Sequence, residues 1–225
     1  MDSQILNESM FFDPLFLISF LAIIGLAPFV IMMMTCFVKL SAVLSLVRNA
    51  LGVQQVPPNM AINGLALVMT FFVMAPVIFD TLQLMDTAPP LTRPFTLDQL
   101  YSQGEHYSPP WKRFLQRNTK GSIVEFFVAT GRRLWPKEKA QSLTPDSMFV
   151  LIPAFTISEM TKAFEVGFLL FLPFFVIDLV VSNILLALGM MMVSPATISL
   201  PLKLLLFVLI DGWAKIIYGL VLGYH

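Results

Sequence analysis

The chain has 225 residues, the size of one ordinary domain, yet 57% of them are apolar and only 12% are charged, about half the usual charged fraction. A water-soluble surface cannot be built at that ratio, so the class is an integral membrane protein or a component buried in a very large apolar assembly. Fourteen Lys and Arg balance fourteen Asp and Glu, and with no bulk basic field nothing points to nucleic acid.

The chain opens with three acids, Asp2, Glu8 and Asp13, and no base before Lys39. That lacks the positive n-region of a secretory signal, so the start reads as mature sequence. The first apolar stretch covers 15–47. As one helix it would run roughly 50 Å, beyond the ~30 Å hydrocarbon core, so it must bend, double back or project past the lipid. Pro28 is its natural kink point. The polar turn Gly52-Val-Gln-Gln-Val-Pro-Pro-Asn59 makes a helical hairpin of this stretch and the next, 62–84, which fits one crossing. We place that hairpin at 15–84.

Residues 85–147 carry nine Lys or Arg against six Asp or Glu, with many prolines, and read as a small, partly helical insertion outside the lipid. Thr144-Pro-Asp-Ser147 predicts a helix start with Asp146 or Ser147 as N-cap. The third apolar stretch, 149–192, is longer still, with Pro173 as its kink point. A short turn, Gly189-Met-Met-Met-Val-Ser-Pro195, leads to the fourth, 198–222, which also fits one crossing. The second hairpin is 149–222. The fold class is therefore all-α, two long bent helical hairpins with a small insertion. The bases of 85–147 would place that insertion in the cytoplasm by the positive-inside rule, a weak vote for a loop of this length.

Catalytic signatures are missing. His106, His225 and Cys36 are the only histidines and cysteine, too few for a nitrogen- or sulfur-ligated zinc site, and neither a phosphate-binding GxxxxGK[ST] loop nor a GxSxG elbow is present. The reading is of a protein that is not an enzyme and needs no cofactor, so any transport it supports is powered elsewhere. More telling are the charges in the apolar stretches and their flanks: Lys39, Arg48, Lys162, Lys203 and Lys215 against Asp80, Glu159, Glu165, Asp178 and Asp211. A charge in lipid costs at least about 2.5 kcal/mol, and five bases against five acids is the balance that pairing requires. Glu159, Lys162 and Glu165 fall at i, i+3 and i+6, and Asp211 precedes Lys215 by four, each set on one helix face. An ion or proton relay is one reading; pairing that fixes the registry of packed subunits is the plainer one. We take Lys39, Arg48, Glu159, Lys162, Glu165, Asp178, Asp211 and Lys215 as pairing candidates.

Two methionine runs stand out. Met32-Met33-Met34 reads as helix core. Met190-Met191-Met192 sits in a turn beside Gly189, where soft thioether chains could close a pore or be buried between helices, and composition leaves both open. Gly219-Leu-Val-Leu-Gly223 is a GxxxG that allows close helix contact.

Three ordered blocks carry a resemblance. Thr35-Cys-Phe-Val-Lys-Leu-Ser-Ala-Val-Leu-Ser-Leu-Val-Arg-Asn-Ala-Leu-Gly52 runs into Gln54-Gln-Val-Pro-Pro-Asn-Met60 and Asn63-Gly-Leu-Ala66. The second is Leu151-Ile-Pro-Ala-Phe-Thr-Ile-Ser-Glu159 with Ala163-Phe-Glu-Val-Gly-Phe168. The third runs from Leu172-Pro-Phe-Phe-Val-Ile-Asp178 through Leu188-Gly-Met-Met-Met-Val-Ser-Pro195 to Asp211-Gly-Trp213. Together they resemble the FliP/SctR family of type III secretion export-apparatus proteins over nearly all the chain outside 85–147. Lys39, Val53-Gln-Gln-Val56 and the start of the chain are closer to the injectisome branch, SctR, than to flagellar FliP. The resemblance implies five copies of the chain with an SctT-like partner in a helical cone, SctS-like subunits outside it and an SctU-like subunit on the core. It implies a channel for unfolded secreted proteins at the bacterial inner membrane, with much of the helical mass projecting on the periplasmic side. That would put the insertion there too, against the positive-inside vote, and we follow the resemblance. It also implies that Met190, Met191 and Met192 ring the pore as a gasket. The competing readings are a flagellar export subunit and, from another class, a small secondary transporter or proton channel using Glu159, Glu165 and Asp178.

Overall fold

The computed structural model describes residues 21, 25–26, 28–53, 55–86 and 97–224. Asp2, Glu8, Asp13, His225 and most of the stretch from Leu15 to Ala27 lie outside the described residues, as does part of the insertion. All regular structure among the described residues is helical: α1 (Pro28–Met34), α2 (Phe37–Leu51), α3 (Asn59–Asp86), α4 (Leu97–Asn118), α5 (Gly121–Leu134), α6 (Lys137–Gln141), α7 (Met148–Ala187), α8 (Pro195–Leu209) and α9 (Gly212–Leu222).

The first apolar stretch does bend. The kink expected at Pro28 falls beside Ala27, which lies outside the described residues. The 82° break falls between α1 and α2. There Thr35 Oγ1 donates back to the Ile31 carbonyl and accepts from the Phe37 N–H at 3.3 Å. A hydroxyl that competes for the backbone ladder is a known cause of bending. α7 runs as one helix of 40 residues through Pro153 and Pro173, so the third stretch does not break at Pro173.

The fourth stretch is also not one straight crossing. It breaks by 60° between α8 and α9 at Asp211, whose φ of +52° is the left-handed region that Asp tolerates better than most residues. Gly212 follows, and a Cβ there would sit 2.3 Å from the Phe207 ring. The Asp-Gly pair was the signal in the sequence. Two helices, Asn59–Met85 and Met148–Ala187, are long and apolar enough to cross a membrane, and the two bent pairs pass the same test together.

Gly52, at φ +78°, ends α2 in a left-handed cap whose N–H donates to Asn49 O at 3.1 Å, as helix ends commonly do. The chain then turns into α3. The core lies where α2 meets α3 and α7. It holds Cys36, the N-cap of α2, and Leu40, Val43, Leu44, Val47 and Leu51 of that helix, with Ile62, Ala66 and Met74 of α3 and Ala163 and Phe174 of α7. The insertion is more helical than its proline content suggested. α4 docks on α7 through Leu115, Leu151 and Phe155, and α5 through Val128 and Val150. Ser147 is the N-cap residue of α7 but its side chain makes no capping bond; Asp146 instead accepts from Gln116 Nε2 at 2.7 Å.

The approach of α2 to α7 is set by Gly167. A Cβ there would stand 2.2 Å from Leu46 Cδ1 and 3.3 Å from its Cβ. Gly167→Val is expected to overpack this contact and cost about 1–3 kcal/mol, measured as a lowered unfolding midpoint in detergent. Gly64→Ala, with nothing within 4 Å of its new carbon, is the control and should be neutral or slightly stabilising in its helix.

Candidate functional site

A buried charged centre forms where α2, α4, α7 and the end of the chain converge. Glu159 on α7 is 0% exposed. Its Oε2 lies 3.5 Å from Lys39 Nζ of α2, and its Oε1 accepts from Lys162 Nζ at 3.1 Å. Tyr224, two residues beyond α9, donates its hydroxyl to Oε2. Lys39, itself 5% exposed, stands 3.6 Å over the Tyr224 ring, a cation–π contact strengthened by loss of water. Burial first, and then the adjacent carboxylate, pushes the Tyr224 phenol up, so it stays a donor. One carboxylate thus holds two ammonium groups and a phenol, which is what a buried charge requires.

The insertion is fastened to the same place. Lys162 also donates to Asn118 O at 2.5 Å, the Lys120 N–H donates to Ser158 Oγ at 3.1 Å, and Lys120 Nζ meets Glu165 Oε1 at 2.9 Å. Glu165 therefore pairs with the insertion and not with its helical neighbour Lys162. Phe114 adds a stacked contact with the Tyr224 ring, 6.1 Å between centroids.

A second centre joins the other end of the bundle. Lys203 of α8, 6% exposed, donates to Asp178 Oδ2 of α7 at 2.6 Å and to Ala50 O at 3.2 Å. Ala50 lies in the last turn of α2, where unpaired carbonyls and the helix dipole favour a cation. Lys203→Ala is expected to cost about 2 kcal/mol, less than a fully buried pair because Asp178 reaches solvent. The unfolding midpoint of the variant would show it, and Asp178→Asn combined with Lys203→Met should recover most of the loss.

The remaining charged candidates behave differently. Arg48 uses Nη1 to reach Pro57 O at 3.2 Å and Asn59 Oδ1 at 2.5 Å, stapling the hairpin turn with no carboxylate involved, while its Nε is buried without a partner. Asp211 and Lys215 make no ion pair with each other among the described residues, because the break at Asp211 puts it outside the helix on which Lys215 sits. Lys203, Lys120, Asn118 and Tyr224 are the members of these centres that the sequence reading left out of its pairing set. A lysine inside an apolar helix was a signal for Lys203, but nothing local marks Tyr224.

Met190, Met191 and Met192 lie in the turn between α7 and α8. Gly189 at φ +73° starts that turn, and the Met190 N–H returns to Leu185 O at 2.9 Å. Met191 is 81% and Met192 101% exposed, so within one chain they cover nothing. Large apolar side chains are exposed widely besides, among them Phe72, Phe164, Phe168, Leu169 and Val208. A surface of that kind belongs in lipid or against other subunits.

The fold and these centres define an all-α membrane protein whose hairpins are locked by buried charge and whose apolar faces are left for neighbours. The chain belongs to the FliP family, whose model matches residues 20–220. It is 52% identical over 215 residues to the "Yop proteins translocation protein R" of Yersinia pestis, covering 94% of this chain and 97% of that protein. The "Harpin secretion protein HrcR" of Erwinia amylovora is 46% identical over 213 residues, with 95% and 97% covered. The "Virulence protein YscR" of Salmonella typhimurium is 46% identical over 201 residues, with 89% and 92% covered.

Proposed function

We propose that this chain is the SctR-type core subunit of a type III protein secretion export apparatus, acting in the bacterial inner membrane as part of the conduit for unfolded substrates. The observation that carries the reading is the match, at about half identity and over nearly the whole chain, to proteins named for translocation and harpin secretion. Membership of a family of secretion components supports a structural role rather than an enzymatic one. The exposed apolar faces support assembly, with five copies and SctT-like, SctS-like and SctU-like partners forming a cone that projects toward the periplasm. The exposed turn at Met190–Met192 supports a pore ring at the point where the two helices of the second hairpin reverse.

The buried centres support the registry reading over a proton relay. Glu159 is closed off by Lys39, Lys162 and Tyr224, and a relay needs a next acceptor, which these partners do not supply. The mass of the detergent-extracted particle, co-expressed with neighbouring gene products, tests the whole proposal. Five copies with a partner subunit, together with loss of all type III secretion on deletion and its return on complementation, is the expected result. A small particle that transports a solute would overturn it in favour of a secondary transporter.

A further inference from the structure

A cleft of about 620 Å³ opens between α7 and the bent pair α8–α9. Its walls are almost wholly apolar, with Val166, Leu170 and Phe174 on one side and Phe207, Ile216 and Leu220 on the other. Along α7 the charged lining is confined to Lys162 and Glu165; from Val166 to Phe174 it stays apolar for roughly 12 Å at the helical rise. Gly219 lines the cleft, and a side chain built there would meet nothing within 4 Å. Within this chain the GxxxG motif therefore does not bring a second helix close at Gly219; it leaves the cleft open.

The charge around the cleft does not cancel. Glu159 is shared by Lys39 and Lys162, and Glu165 is taken by Lys120. Lys215, exposed and lining the cleft, has no ion-pair partner among the described residues. Asp211, one turn earlier, lines a different cleft beside Trp213 and Val56. Four lysines thus face two carboxylates, leaving an excess of positive charge beside a long apolar slot. An apolar slot with a cationic margin, in a protein whose helices cross a membrane, matches the chemistry of an anionic phospholipid.

We propose that this cleft is a lipid site, taking one acyl chain of an anionic phospholipid between α7 and α9 with the phosphate on Lys215 and Lys162. Lys215 supplies the selectivity for negative charge, and the bare face of Gly219 supplies the space for the chain. The bend at Asp211 makes the site, because it tilts α9 away from the line of α8.

The test is lipid retention by the purified full chain, in whatever assembly it forms, read by native mass spectrometry. The protein is exchanged into a neutral detergent with equimolar phosphatidylglycerol and phosphatidylcholine of matched chains. The expected result is retained phosphatidylglycerol at fivefold or greater preference. Lys215→Gln should cut that preference to below twofold, and Gly219→Leu should remove retention of both lipids. Lys137→Gln, also exposed but on α6, should change neither. Equal retention of the two lipids, or a preference unmoved by Lys215→Gln, overturns the proposal. So does a lipid-free particle that loses subunits on Gly219→Leu, which would assign the cleft to a second copy of the chain. Secretion activity is read separately, so a failed lipid site leaves the export reading standing.

Discussion

Glu159→Ala is expected to remove most assembled complex. The substitution deletes a fully buried carboxylate and leaves Lys39, itself 5% exposed, as an uncompensated charge. Lys162 keeps only the Asn118 carbonyl, and the Tyr224 hydroxyl loses its acceptor. Breaking a buried pair from one side costs about 3–5 kcal/mol, a large part of the stability of an ordinary domain. Blue-native electrophoresis of extracted membranes, with secretion measured in parallel, would register the loss. Glu159→Gln preserves shape and an acceptor for Tyr224, and should fall between. The decisive variant is Glu159→Gln with Lys39→Met, which removes both charges together. If the centre fixes packing, the double variant assembles better than either single one and secretes in proportion. A double variant that assembles fully and secretes nothing would sink the registry account and restore the relay.

How far this centre could be read from the chain depends on distance along it. Glu159 and Lys162 were conspicuous because charge in an apolar helix demands a partner, and their spacing of three suggested one. Lys39 and Arg48 were marked for the same reason, yet their outcomes differ. Lys39 finds Glu159, 120 positions away, whereas Arg48 spends Nη1 on the carbonyl and amide of its own hairpin turn. Spacing alone paired Asp211 with Lys215, and the left-handed backbone at Asp211 removed the premise of a continuous helix. Tyr224 was invisible because an aromatic near a chain end looks like any other until α9 brings it against α2. The helical class and the hairpin turn at Gly52 were legible, since composition and turn chemistry are local. The two breaks, at Thr35–Cys36 and at Asp211, were less legible, because a threonine that competes for backbone bonds and a left-handed aspartate leave weaker marks in a sequence than a proline does. α7 continues unbroken through Pro173 and packs on α2, α4 and α5.

The triple variant Met190→Ala, Met191→Ala, Met192→Ala is expected to leave the chain folded and the complex assembled but let small ions through during secretion. Within one chain Met190, Met191 and Met192 are 43%, 81% and 101% exposed, so truncating them opens no internal cavity, and the unfolding free energy should fall by no more than about 1 kcal/mol. Had they been core residues, each loss would cost about 2–5 kcal/mol. Their effect belongs to the assembly. Gly189 turns the backbone at φ +73° and Pro195 starts α8, so the turn is anchored at both ends while its side chains remain free. Five such turns around an axis would present a ring of uncharged thioether chains with three rotatable bonds each. A narrow apolar ring excludes hydrated ions by dewetting, and flexible side chains can close around a polypeptide of changing width. Alanine keeps the apolar character but not the reach, so the ring widens. Membrane-potential dye in secreting cells, compared with cells whose secretion is blocked, would report the leak. An assembled, secreting and ion-tight triple variant would exclude these methionines as the seal and move it to another constriction.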